Sequence, residues 1–142
     1  MKCTTIITEE REEVLIYTPK ITDFIIEIEN LILSNSVELV GYIDKDIIKL
    51  KLNDIYCFNI ENNKVYAHTK SQKLQLKQRL YEIEGIVDDS FVKINQSCIV
   101  SINKIKSFNA SFTGSLLVKL NNGYQDYVSR RQLKIVKERL DI

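Results

Sequence analysis

The chain has 142 residues, 44% hydrophobic and 27% charged, which is one ordinary domain with enough material for a core and no need of a metal or disulfide staple. This composition excludes a disordered or collagen-like chain, and no apolar run reaches the about 20 residues that cross a bilayer. The formal charge of +1 hides an asymmetry: residues 1–46 carry four Lys and Arg against ten Asp and Glu, and residues 47–142 carry sixteen against nine, so an acidic front joins a basic back suited to polyanions.

At the N-terminus, MKCTTIITEEREEV turns acidic before a signal-peptide core could form, and the chain reads as cytoplasmic. Residues 3–8 and 13–18 are rich in β-formers and read as two short strands, the second ended by Pro19. A helix is expected over Ile21–Leu33, capped by Thr22. Its apolar residues Ile21, Phe24, Ile25, Ile28, Leu31 and Ile32 recur at helical spacing and call for a sheet to lie on. Strands follow at 37–44, 46–52, 54–61 and 64–69, and Asn62-Asn63 reads as a tight hairpin. Residues 71–86 change period: Leu76, Leu80 and Ile83 suggest one short helix ending at Gly85. Strands resume in SFVKIN, SCIVSI, IKSFNAS, GSLLVKL and YQDYVS, with a hairpin signal at Asn121-Asn122-Gly123. The last twelve or so residues form a helix with Ser129 at its N-cap and Leu133, Val136 and Leu140 as its apolar stripe.

Little in this chain suggests catalysis. His68 is the single histidine and cannot alone make a His-based zinc site. No P-loop, G-x-G-x-x-G or G-x-S-x-G occurs. Cys3, Cys57 and Cys98 are widely spaced and read as small buried hydrophobes, which ranks a redox switch low. A Cys98/His68 dyad stays open at this level, although Cys98 sits in an apolar run where thiols are inert. Polyanion binding is better supported. Asn63 and Lys64 stand at one hairpin, Lys93, Asn95, Gln96 and Ser97 in another connection, and Arg130 and Arg131 at the start of the last helix beside Ser129. Amide side chains match adenine edges, guanidinium and ammonium groups match guanine edges or phosphate, and a helix N-terminus favours phosphate.

The order of motifs in the back half carries a resemblance. Phe91-Val92-Lys93, Ile99-Val100-Ser101, Lys104-Ile105, Asn122-Gly123 and Val128-Ser129-Arg130-Arg131 follow one another as in the LytTR DNA-binding domain of bacterial transcription regulators. Upstream, Asp54-Ile55, Lys64-Val65-Tyr66 and the helix around Leu80 fit the same template, and Val40-Gly41-Tyr42 resembles the end of the extension found in stand-alone members. The resemblance implies a mainly β (α+β) fold. Small stacked antiparallel sheets, a short middle helix and a C-terminal helix would be preceded by a strand-helix extension. Residues 1–45 would be an acidic extension for dimerisation or regulation, and 46–142 the DNA-binding domain.

It further implies a sequence-specific transcription regulator, not an enzyme, without cofactor or metal, reading major grooves through strand-connecting loops. The implied DNA contacts are Asn63-Lys64, the stretch Lys93–Ser97 with Gln96 at the base-reading position, and Arg130-Arg131 with Arg131 on a base. Lys134 is expected on a phosphate. Ser101 stands where Asn is usual and Asn95-Gln96 where basic residues or His-Asn are common, both suggesting a shifted DNA preference. The implied partners are double-stranded DNA, a second copy of the chain, and a small membrane protein that restrains it. The alternative is an interaction module whose N-terminal helix holds a partner while DNA binding is weak or non-specific.

Overall fold

The computed structural model describes residues 4–6, 14–36, 38–110 and 114–142. Helix α1 (Asp23–Ser36) comes first, then strands β1 (Glu38–Ile43), β2 (Asp46–Lys51), β3 (Cys57–Glu61), β4 (Lys64–His68) and β5 (Lys73–Leu76). Helix α2 (Leu80–Ile86) leads to β6 (Phe91–Asn95), β7 (Cys98–Ser101), β8 (Ile105–Ala110), β9 (Leu116–Leu120) and β10 (Gln125–Val128), and α3 (Arg130–Leu140) closes the chain. The first seven strands make one antiparallel sheet in the order β2-β1-β5-β4-β3-β7-β6, and the last three make a second, β10-β9-β8.

Turn chemistry sets the register of the central hairpin. Asn62 and Asn63 adopt φ of 50° and 61° between β3 and β4, a left-handed backbone that Asn tolerates through its short polar side chain. Positive φ at both turn residues matches the right-handed twist of the flanking strands, so Glu61 falls opposite Lys64 and Cys57 opposite His68. Alternation along the strands then sorts side chains onto two cores. Leu39, Leu50, Phe58, Ala67, Leu74, Leu76 and Ile99 gather on one side of the large sheet, under Leu80 and Ile83 of α2. Cys57, Val92, Ile94, Cys98 and Val100 point to the other side. There they meet Leu116, Val118 and Leu120 of the small sheet, Val128, and Val136 of α3. Strands β3, β6 and β7 are therefore covered on both faces, which is why apolar residues stand side by side in Cys57-Phe58, Phe91-Val92 and Cys98-Ile99-Val100. Each such buried Val, Ile or Leu contributes about 1.5–3 kcal/mol.

The mainly β architecture matches the sequence reading, with three local differences. Residues 14–18 form no strand: Val14, Leu15 and Tyr17 are exposed, and an extended segment without a pairing partner gains no ladder bonds. Residues 4–6 likewise form no strand, and the rest of the expected strands, residues 3, 7, 8 and 13, lies outside the described residues. The segment 71–86 begins as β5 rather than as helix, because Leu74 and Leu76 alternate into the first core while Lys73 and Gln75 face away; only Leu80 onward is helical. The boundary placed between residues 45 and 46 falls in the β1–β2 turn, and β1 lies inside the large sheet between β2 and β5.

The helix α1 starts at Asp23, where the Thr22 carbonyl accepts the Ile26 N–H at 3.1 Å and its hydroxyl accepts the Ile25 N–H at 3.4 Å. Its stripe was expected against a sheet. Instead α1 touches the 3-10 turn Leu52–Asp54, and Ile25 is buried while Phe24 (51%) and Leu31 (55%) are exposed.

Candidate nucleic-acid interface

Three connections meet at one end of the large sheet. The β3–β4 hairpin projects Asn62, Asn63 and Lys64 into solvent. The β6–β7 turn exposes Gln96 and Ser97, and the Ser97 carbonyl accepts the Ile60 N–H at 2.9 Å, tying this turn to the base of the hairpin. Asn95 joins the turn to β10: its Oδ1 accepts the Ser97 N–H at 2.8 Å, and its Nδ2 donates to the Tyr127 carbonyl at 2.9 Å. Ser129, the N-cap of α3, donates its N–H to the Ile94 carbonyl at 2.8 Å. That bond sets the start of α3 beside the turn, with Arg130 and Arg131 exposed on its first turn and Lys134 exposed one turn on. The three elements are thus held by hydrogen bonds between different parts of the chain, so a ligand spanning them meets a surface already in place.

A polar cluster stiffens the hairpin from behind. Asn59 is buried; its Oδ1 accepts from His68 Nε2 at 2.7 Å and its Nδ2 donates to Glu61 Oε1 at 3.3 Å. Glu61 pairs with Lys73, which holds its carboxyl below the ordinary range, and burial holds the His68 imidazole below its own.

Most of the residues singled out from the sequence come together here, but not all. Asn63, Lys64, Gln96, Ser97, Ser129, Arg130, Arg131 and Lys134 share this end. Lys93 does not join them. On β6 it sits on the side of Phe91, half-buried, with Nζ 3.4 Å from Glu84 of α2, whereas α3 packs on the opposite side. Asn95 is at the right place, and each end of its amide makes one bond to the backbone, which shapes the turn and leaves one donor and one acceptor position on the amide. Ser101 is buried in β7 with its N–H on the Tyr56 carbonyl, and its identity does not reach the surface. Sequence reasoning missed Tyr127, exposed (54%) just before α3. The signal was available, since Val128 points inward and strand alternation turns Tyr127 out.

His68 is engaged by Asn59 and lies against the Tyr124 ring at 5.0 Å. Cys57 and Cys98 are both free and buried, and the neighbouring Cys98 thiol together with burial pushes the Cys57 thiol well above the ordinary range, where a thiol is inert. Among the described residues no cluster could hold a metal ion and no helix is long and apolar enough to cross a membrane.

A fixed end of strand-connecting loops bearing exposed amides and cations defines a nucleic-acid-binding β domain. The described helices are separated by strands, so no helix-turn-helix is present among the described residues. The chain belongs to the LytTr DNA-binding domain family, which it matches over residues 45–141. Two proteins of Staphylococcus aureus, from strains bovine RF122 / ET3-1 and N315, are each 39% identical to it over 129 residues, covering 89% of this chain and 88% of theirs. Both are described as uncharacterized HTH-type transcriptional regulators. The fold is similar to a solved LytTr DNA-binding domain from Bacillus cereus, part of a protein described as a methyl-accepting/DNA response regulator. The TM-score is 0.70 at 21% identity, covering 74% of this chain and 97% of that one.

Proposed function

We propose that this protein is a sequence-specific transcription regulator acting in the cytoplasm on double-stranded DNA, with no catalytic step. The hairpin Asn62–Lys64, the turn Gln96–Ser97 and the start of α3 enter the major groove. Arg131 reads a base edge, Gln96 reads another, and Lys64, Arg130 and Lys134 neutralise phosphates. The observation that carries this reading is the set of hydrogen bonds, Ile60 to Ser97, Asn95 to Tyr127 and Ser129 to Ile94, that holds the three elements at one end. Fluorescence anisotropy with the DNA upstream of the protein's own gene, against a scrambled duplex of equal length at two salt concentrations, tests it. Tight binding to the native duplex alone is expected. Equal, steeply salt-dependent binding to both would reduce the surface to a non-specific basic one.

The protein acts as a homodimer on paired half-sites, with α1 as the contact between copies. The exposed Phe24 and Leu31, seven residues apart on one face of the helix, with Ile21 and Ile32 exposed beside them, support this role, since exposed apolar surface of this kind marks association sites. The same helix offers a regulatory membrane protein its handle. Phe24→Glu is expected to yield monomers in analytical ultracentrifugation with the fold intact. Dimers of wild-type affinity in that variant would remove α1 from the contact.

A further inference from the structure

The small sheet and α3 cover one side of the large sheet only at β3, β7 and β6, and Tyr124 reaches as far as His68 on β4. Beyond that point no described element packs on the same side of β5, β1 and β2, where Ile47, Lys49 and Lys77 are exposed and Val40, Tyr42 and Gln75 half-buried. The printed register fixes who stands there: Ile47, Tyr42, Gln75, Tyr66 and Asn59 form one row across β2, β1, β5, β4 and β3. Two residues along each strand toward the hairpin, the next row on this side holds Lys49 on β2, Lys64 on β4 and, just past the end of β5, Lys77. All three are exposed. The carboxylate in that row, Glu61, is engaged by Lys73 from two rows behind. Lys77 is held in place: its Nζ lies 5.1 Å from the centroid of the Tyr42 ring, and Lys73 sits 4.5 Å over Tyr66 in the same manner.

We propose that this open side of the sheet, through Lys49, Lys64 and Lys77, binds phosphates of the same duplex on the flank away from α3. The proposal rests on the DNA-binding reading above. The row is continuous with the reading end through Lys64, which belongs to both, and it lies on the side of the sheet where α3 packs. From β4 to β2 there are three strand spacings, about 14 Å, or about four base pairs of rise. The surface therefore lengthens the footprint by about that much without reading sequence. The tyrosines do not serve as stacking platforms for single-stranded bases, because lysine ammonium groups already occupy their faces. Tyr42 belongs to β1, so the segment ahead of the family-matched residues positions one of the cations.

The test uses the full chain and the footprint it leaves on the DNA upstream of its own gene. Duplexes carrying that core with or without about six further base pairs on either side are compared by anisotropy at 50 and 200 mM salt. Wild type is expected to gain affinity from added duplex on one side only. The Lys49→Ala/Lys77→Ala double variant should lose that gain and keep its preference for the core. Removing two phosphate contacts lowers the salt slope by about 1.8, so wild type should weaken about tenfold more than the variant between the two salt concentrations. A variant that keeps both the flank gain and the slope overturns the surface alone. An unpaired flank that tightens wild type as well as a duplex flank also overturns it, in favour of single-strand binding. A wild type that leaves no footprint and binds a scrambled duplex equally overturns the reading of the three loops, and this surface with it.

Discussion

Arg131→Ala is expected to cost about 1–3 kcal/mol of discrimination at one base pair while leaving affinity for other changes in the site nearly as in wild type. The reason is geometric. Arg131 is exposed on the first turn of α3, and that turn is fixed to β6 by the Ser129–Ile94 bond of 2.8 Å. A planar guanidinium delivered from an immobile backbone can make a bidentate contact to a guanine edge. Lys134 stands three residues further, one turn up the same helix face, and supplies a point charge. Lys134→Ala should weaken all duplexes alike and lower the salt slope by about 0.9. Titration of both variants against the native duplex and its single-base-pair substitutions separates the two roles. An Arg131→Ala protein that ranks these duplexes as wild type does would remove Arg131 from base reading.

Gly41→Val should destabilise the protein by about 1–3 kcal/mol, the range for forcing extra methyl groups into a packed core. Gly41 lies in β1 facing the first core. A Cβ there would stand 2.7 Å from Leu74 Cβ, 2.9 Å from Leu50 Cδ1 and 3.0 Å from Leu74 Cδ2. The Leu50 methyl can swing aside, but the Leu74 Cβ is fixed to the backbone of β5, so β1 itself must move. For a chain of this size the cost corresponds to a fall of about 3–10 °C in Tm. Thermal unfolding followed by circular dichroism measures it. A Tm unchanged from wild type would mean that β1 and β5 do not approach this closely.

The Asn62-Asn63 hairpin and the last helix were legible because local pattern decides them: left-handed φ in the first case, the apolar stripe Leu133, Val136 and Leu140 in the second, although the Ser129 side chain makes no capping bond. β5 was hidden because Leu76, Leu80 and Ile83 also satisfy a helical period, and only the pairing of Leu74 and Leu76 with Ala67 and Val65 settles the matter. The ends of the site were readable as clusters of amide and basic residues. The fate of individual side chains was not. The bond from the Asn95 amide to the Tyr127 carbonyl, a partner 32 residues away, could not be read from the loop sequence. Lys93 looks like part of the loop until the strand pleat turns it toward Glu84. Both depend on which side of β6 faces which neighbour, a property of the assembled sheet.

The insertion of β1 between β2 and β5 bears on how the protein can be cut. The family pattern begins at residue 45, inside the turn that joins β1 to β2. A fragment starting there would keep β2 without the strand it pairs with, and would turn the flank of β5 into an open row of unpaired N–H and C=O groups. Such an edge is a template for pairing with other chains. The smallest piece that stays monodisperse at high concentration should therefore begin before Glu38, even though the loops proposed to meet DNA all lie beyond residue 60.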